Sequence, residues 1–361
     1  MTQIPISIEE INVEWLSHVL CADNPAAEVS GFMVEDAHVG TTGRALLRLE
    51  YRGGADLPER LFVKLPPNDE QQREFVAQVG MGKKEARFYR DLAAEMPLPV
   101  PRCYHADFNE SGDRYIMLLE NLEDRDCTFR NASTRYSADY IRSVLRVFAR
   151  LHAKFWNSER FDEDLSWVNS PVFHPISPVL VSNARQQYAA EMPPVFADMA
   201  DYYVDNAEAI HALWDTGVPT LVHGDIHDGN MYFDPGYRLT SEEGGSPGFL
   251  DWGIVSRNSC MRDVAYFLAG TPATEDRRSH LSAWLHEYFE ALHACGVVAL
   301  DRETLLREFR WHSAYVWVGA AVTLAMGSEW QSIGYVKNTL TRVNQALEDS
   351  DVLSALRETI G

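Results

Sequence analysis

No Cys-x-x-Cys pair occurs in this chain: its five cysteines, Cys21, Cys103, Cys127, Cys260 and Cys295, are odd in number and widely separated. That pattern excludes a disulfide framework or a cysteine zinc site and implies free thiols in a reducing compartment. Residues 1–10 lack a basic segment followed by an apolar run, so no signal peptide is expected. The most apolar stretch near the C-terminus, 316–326, falls far short of a membrane span. Basic charge is also scarce. Thirty-two Lys and Arg stand against 53 Asp and Glu, a net charge of −21, and no basic face offers itself to a nucleic-acid backbone. A soluble, cytoplasmic protein is expected, with neither membrane nor nucleic acid as partner. The acidic balance keeps such a chain soluble and also favours cationic small molecules.

What is present suits a globular protein. A hydrophobic fraction of 46% and 361 residues allow two lobes, each with a core. Ser7 and Glu10 form a capping-box pattern ahead of Ile11, Trp15 and Leu16, which predicts a first helix. The texture then turns β-prone, and 29–34, 45–51 and 61–65 read as antiparallel strands. A helical segment over 69–94 and strands near 103–108 and 114–119 complete a five-strand, one-helix lobe. From Tyr136 the pattern is mostly helical. Tyr140, Val144, Val147, Phe148, Leu151 and Phe155 mark one face of a long buried helix. Two short strands, 230–233 and 248–251, interrupt the helices, which resume from Cys260. There is no internal repeat and no low-complexity segment.

The most informative stretch is His223-Gly224-Asp225-Ile226-His227-Asp228-Gly229-Asn230, followed by Phe249-Leu250-Asp251-Trp252. An Asp, an Asn five residues on and a second Asp twenty-one beyond it each lie on a loop beside a short apolar strand. Phosphoryl transfer from a magnesium nucleotide needs that trio. One carboxylate receives the proton of the attacking hydroxyl, while an amide oxygen and a second carboxylate hold the metal. Capped turns beside strands are the plain structural alternative.

Lys64 sits inside the apolar run Leu61-Phe62-Val63-Lys64-Leu65. A buried lysine is costly unless it meets an anion. In kinases that anion is the α/β-phosphate pair, and a helix glutamate holds the lysine in place. Glu85 is the first candidate for that glutamate and Glu74 the second; an edge-strand lysine reaching solvent is the alternative. Val39-Gly40-Thr41-Thr42-Gly43-Arg44 lies where a phosphate-covering loop belongs, and its two glycines let backbone N–H groups approach an anion. It lacks the full G-x-G-x-x-G, and a plain hairpin accounts for it as well. Glu120-Asn121-Leu122-Glu123 stands where a connector reads a purine through its backbone, or is a simple interdomain loop.

As a set these motifs resemble the catalytic core of the aminoglycoside phosphotransferases and their relatives, the choline kinases and the ecdysteroid-kinase-like group. The resemblance runs over about 29–268 and includes Leu151-His152-Ala153 to Phe155-Trp156, similar to the helix before that family's catalytic loop. It implies an α+β, protein-kinase-like bilobal fold. A small five-stranded antiparallel N-lobe (1–120) would bind nucleotide, 121–135 would connect, and a mostly helical C-lobe (136–361) would carry the catalytic loop and metal site.

By the same resemblance Asp225 is the catalytic base, and Asn230 and Asp251 are Mg2+ ligands. Lys64, Glu85, Gly40, Thr41, Thr42, Gly43, Glu120 and Leu122 serve the nucleotide, ATP or GTP. His223 shapes the loop, and His227 and Asp228 support it. Asp263, at the start of the next helix, caps that helix and accepts N–H bonds from the loop.

Two other classes compete. Gly224-Asp225-Ile226-His227 resembles the opening of a metallophosphoesterase site, but Asp228 stands where that family has Gly, and its later metal-binding motifs are missing. A pseudokinase that binds nucleotide without turnover is the other alternative, although the base, both metal ligands and the lysine are all present. The expected activity is transfer of the γ-phosphate to a hydroxyl of a small molecule, by a monomer or homodimer. Only residues 253–259 separate Asp251-Trp252 from the next helix, which leaves little room for a peptide-binding activation segment. Acidity leans toward an aminoglycoside or amino alcohol as acceptor. The aromatics of the helical lobe, among them Trp284, Trp311 and Tyr315, lean toward a sterol-like alcohol, with core packing as their default role.

Overall fold

The computed structural model describes residues 3–39, 42–53, 57–129, 135–171, 173–238, 244–299, 301–328 and 330–361. In chain order the first elements are α1 (Val13–Leu20), β1 (Glu28–Val39), β2 (Gly43–Arg52), β3 (Arg60–Leu65), α2 (Glu70–Val79) and α3 (Met81–Asp91). They are followed by β4 (Cys103–Phe108), β5 (Tyr115–Glu120), β6 (Thr128–Phe129), α4 (Ala138–Lys154), α5 (Ile176–Tyr188) and α6 (Pro194–Trp214). Next come β7 (Pro219–Val222), β8 (Met231–Asp234), β9 (Ser246–Phe249) and β10 (Ser256–Ser259). The chain closes with α7 (Met261–Gly270), α8 (Thr274–Ala294), α9 (Arg302–Met326), α10 (Ile333–Asp349) and α11 (Val352–Ile360). The class is α+β. Two compact units emerge, Met1–Thr128 with Tyr232–Ile254, and Phe129–Met231 with Val255–Gly361.

The first unit is built on a five-stranded antiparallel sheet in the order β1-β2-β3-β5-β4. Strand periodicity sends alternate residues to opposite faces. Ala45, Leu47, Leu49, Leu61, Val63 and Leu65 pack on one face with Trp15 and Leu16 of α1. Lys64 alternates with Val63 and Leu65 and therefore points to the other face, where α3 lies. The helix expected over 69–94 is instead two helices, α2 and α3, broken at Gly80, whose φ of 72° is left-handed backbone that glycine adopts freely.

β1 is twelve residues long and extends well past the expected 29–34. Its second half pairs with β2 down to Val39 opposite Gly43, with bulges after Val29 and Val34. That half is polar, and Glu35 binds Arg48 and Arg60 at 2.5 and 2.9 Å, so hydrophobic alternation gave no sign of it. The capping box also fails. α1 is capped by Asn12, which accepts from Trp15 N at 2.9 Å, while Ser7 precedes a separate 3-10 turn without a side-chain cap bond.

Residues 136–361 were expected to form one lobe, but Tyr232–Ile254 groups with the first unit. Tyr232 is buried there with Leu122 and Cys127, Arg125 bonds Asp234, and Phe249 N donates to Pro99 O at 3.3 Å. A short apolar hairpin gains more from that cover than from standing alone.

The second unit is mostly helical. The predicted stripe on α4, from Tyr140 to Phe155, is buried throughout. Phe196, Met199, Tyr203, Trp214, Trp317 and Leu340 centre a second packed cluster. β7 pairs antiparallel with β10 and feeds the loop that begins at His223. Among the described residues no helix is long and apolar enough to cross a membrane.

Candidate active site

In the first unit, β3 places Lys64 and α3 places Glu85 against each other. Lys64 Nζ donates to Glu85 Oε1 and Oε2 at 2.7 and 2.6 Å, and both side chains are buried. The approach of α3 depends on Gly82, where a Cβ would come within 2.0 Å of the Tyr115 ring on β5. Burial pushes the Glu85 carboxyl up to about 7, against the pull of Lys64. Glu74 lies exposed on α2 and takes no part in this pair.

Asp251 belongs to the same cluster. Its Oδ1 is 3.4 Å from Lys64 Nζ and its Oδ2 is 3.7 Å from Arg44 Nη2. It follows β9 with a φ of 62°, a left-handed conformation that Asp tolerates better than most side chains. The next residue anchors it: Trp252 is fully buried and stacks on Phe88 of α3, centroids 4.2 Å apart and planes 8° from parallel. Lys64, Glu85 and Asp251 are therefore brought together by one strand, one helix and one turn.

Other expected nucleotide contacts are placed as follows. Gly40 and Thr41 lie outside the described residues. Thr42 Oγ1 accepts from Arg44 Nε at 3.1 Å, and a Cβ at Gly43 would come within 2.9 Å of Pro66 O, so close strand approach already calls for that glycine. Glu120 ends β5; its Oε1 accepts from Arg102 N and from Arg125 Nη1, at 2.7 and 2.9 Å. Leu122 opens a 3-10 turn and is buried against Cys127 and Tyr232.

In the second unit, the loop after β7 is held by α7. His223 N and Gly224 N donate to the two carboxylate oxygens of Asp263 at 2.8 and 2.7 Å. Gly224 has a φ of 86°, which a β-carbon would disfavour. Asp263 sits in the first turn of α7, while the N-cap position is Cys260 and makes no side-chain cap bond; the expected capping role is absent and the loop-binding role is present. Asp263 is fully buried. Burial works to raise its carboxyl, but His152, at 3.3 Å, and the loop N–H bonds outweigh it and hold the group below its usual 3.8.

Asp225 follows directly. Its Oδ1 accepts from Tyr266 OH at 2.7 Å, and Asn230 Nδ2 lies 3.2 Å from its Oδ2 and 3.0 Å from its carbonyl oxygen. Two acceptors fix the orientation of the Asn230 amide: its nitrogen faces Asp225, and Oδ1 is the atom it has to offer elsewhere. An amide oxygen is a hard donor of the kind magnesium takes. His227 Nδ1 accepts from Gly229 N at 3.0 Å, and buried Asp228 is bonded by Tyr136 OH at 2.5 Å, so both support the turn.

Three residues near these groups escaped the sequence reading. Arg44 was quoted only as part of its loop. Tyr266 sits one helical turn beyond Asp263 and so shares its face, a spacing that could have flagged it. Tyr315, read as core, donates from its hydroxyl to Gly224 O at 3.0 Å with the Arg262 guanidinium over its ring.

The fold is similar to that of aminoglycoside 2′-phosphotransferase-IIIa in its GDP complex, with a TM-score of 0.50 and 12% identity over 94% of this chain and 99% of that one. A choline kinase from Cryptosporidium parvum Iowa II gives 0.49 and 10% over 97% and 98%. At such identity the first likeness establishes the protein-kinase-like fold alone. Comparison with curated proteins finds no sequence match. The sequence profile of the ecdysteroid kinase-like family matches residues 43–297, a span that takes in Lys64, Glu85, Asp225, Asn230, Asp251 and Asp263. That match covers well over half of the sequence, and the chain belongs to the ecdysteroid kinase-like family.

Proposed function

We propose that this protein transfers the γ-phosphoryl group of ATP or GTP to a hydroxyl of a small acceptor. The observation that carries the reading is the buried Lys64. Glu85 engages its ammonium with both oxygens and Asp251 Oδ1 lies 3.4 Å from it, so a nucleotide phosphate would meet Lys64 beside Asp251.

In this reading Asp225 takes the proton of the acceptor hydroxyl. The hydroxyl oxygen bonds to the γ-phosphorus, the bond from phosphorus to the β–γ bridging oxygen breaks, and the leaving nucleoside diphosphate keeps that electron pair. Asn230 and Asp251 would hold magnesium, which when bound neutralises charge on the phosphates. Thr42 and Gly43, with Gly40 and Thr41, would cover the phosphates, and Glu120 and Leu122 would read the purine through their backbone. Asp225 acts by position and charge, with no covalent enzyme intermediate.

The test is a mass-spectrometric screen for phosphorylated product. Mg-ATP or Mg-GTP is offered with kanamycin, choline, ethanolamine, aminopropanol, nucleosides, sugars and steroid alcohols, and Asp225→Ala serves as control. Phosphate added only with intact Asp225 supports the kinase and names its acceptor class. Full turnover by Asp225→Ala, or failure to bind either nucleotide, counts against it.

A further inference from the structure

The Asp225 carboxylate is gripped from two sides. Tyr266 OH bonds Oδ1 at 2.7 Å, and Asn230 Nδ2 reaches Oδ2 at 3.2 Å. Tyr266 has no freedom to do otherwise, because it lies on α7, whose first turn holds the two preceding loop residues through Asp263. One face of one helix therefore addresses residues 223, 224 and 225 in succession. A phenol serving only as core filling would need no hydroxyl. We infer that Tyr266 is a positioning residue for phosphoryl transfer: its hydroxyl and the Asn230 amide together fix the plane of the Asp225 carboxylate toward the acceptor.

The inference rests on Asp225 being the base. A carboxylate with one oxygen released turns about χ2 with little restraint, and the proton-accepting geometry is then met only part of the time. Burial and the neighbouring Asp225 together raise the Tyr266 phenol well above its ordinary value, so it remains a donor throughout the working range. Loss of the hydroxyl should act on turnover and leave substrate affinity unchanged.

The variant is Tyr266→Phe, which keeps the ring. In 13C-Asp-labelled full-length protein, the Asp225 carboxyl resonance, assigned by its disappearance in Asp225→Asn, is recorded at one pH in wild type and in Tyr266→Phe. The inference expects that resonance to move in the variant, because one of the two donors to the carboxylate is gone. With the acceptor found in the screen above, kcat should fall by about 10- to 100-fold, the size of one hydrogen bond to a charged group, with KM unchanged. An unmoved Asp225 resonance, or an unchanged kcat, overturns the role of Tyr266. Turnover by Asp225→Asn equal to wild type overturns the kinase mechanism itself, a separate failure. Thermal unfolding midpoints of wild type and Tyr266→Phe show whether a loss in kcat reflects misfolding; the carboxyl resonance decides independently of activity.

Discussion

Lys64 and Glu85 meet at 2.6–2.7 Å with 5% and 2% of their surfaces exposed. Each charge has lost its water and has the other in exchange. Removing one partner therefore strands the other. Lys64→Met and Glu85→Met should each destabilise the protein by roughly 3–5 kcal/mol, and the double variant should recover much of that loss. Urea unfolding of the three variants checks this. Single variants as stable as wild type would mean that the pair is not truly desolvated.

Asp251 combines a left-handed backbone with a carboxylate facing Lys64 and Arg44. Asn tolerates that backbone almost as well as Asp, whereas Ala pays for it by about 1–2 kcal/mol. Asp251→Asn should therefore unfold within about 0.5 kcal/mol of wild type, while Asp251→Ala unfolds earlier. If Asp251 is a magnesium ligand, both should lose turnover and need more magnesium to reach half of what remains. A drop in stability in Asn equal to that in Ala would remove backbone strain from the account.

Asp263→Asn replaces a doubly accepting carboxylate with an amide that can accept at one oxygen only. An N–H2 group then faces the N–H of His223 or Gly224. We expect a loss of at least about 3 kcal/mol, from one charged hydrogen bond broken and one donor left unpaired. Because the folded carboxyl is held below 3.8, its contribution is present above that pH and is lost as pH falls through the lower folded value. Wild type should thus lose stability in acid more steeply than Asp263→Asn below pH 3.8. Parallel acid-unfolding curves would contradict the assignment.

His211 gives a second pH signature, in the second unit. Its ring packs against Trp214 and Phe173, with centroids at 4.7 and 4.9 Å, and Tyr203 OH lies 2.9 Å from Nε2. Burial, helped by the Arg262 charge, pushes it down to about 4. The unfolded chain takes up the proton first, so stability should fall as pH drops from 6.5 toward 4. Buried His312, also lowered, adds to the same limb. His211→Phe should remove part of the slope and leave stability above pH 7 little changed. An identical slope would place the effect on other groups.

Legibility from sequence followed hydrophobic pattern and spacing. β2 and β3 alternate cleanly and were placed within one or two residues. The stripe on α4 read directly from its periodicity. Lys64 stood out because a charge inside an apolar run is itself a signal. What could not be read was settled by partners distant in sequence. The outer half of β1 is strand because β2 pairs with it, and its polar residues show no alternation. Gly80 breaks a helix that periodicity alone would continue. Ser7 and Glu10 matched a pattern, but Asn12 lay nearer the turn that packed. Tyr266 is marked only by its one-turn spacing from Asp263, and nothing in a sequence marks the Tyr315 hydroxyl, which ends on a loop 91 residues away.

The tethering of 223–225 to α7 has an energetic corollary. Three consecutive residues of a loop would ordinarily surrender about 1–2 kcal/mol each of backbone entropy whenever they were ordered. Here that ordering happens once, as the helix docks, through Asp263 and Tyr266. A ligand that arrives at Asp225 finds the loop already arranged, and none of its affinity has to go toward organising it.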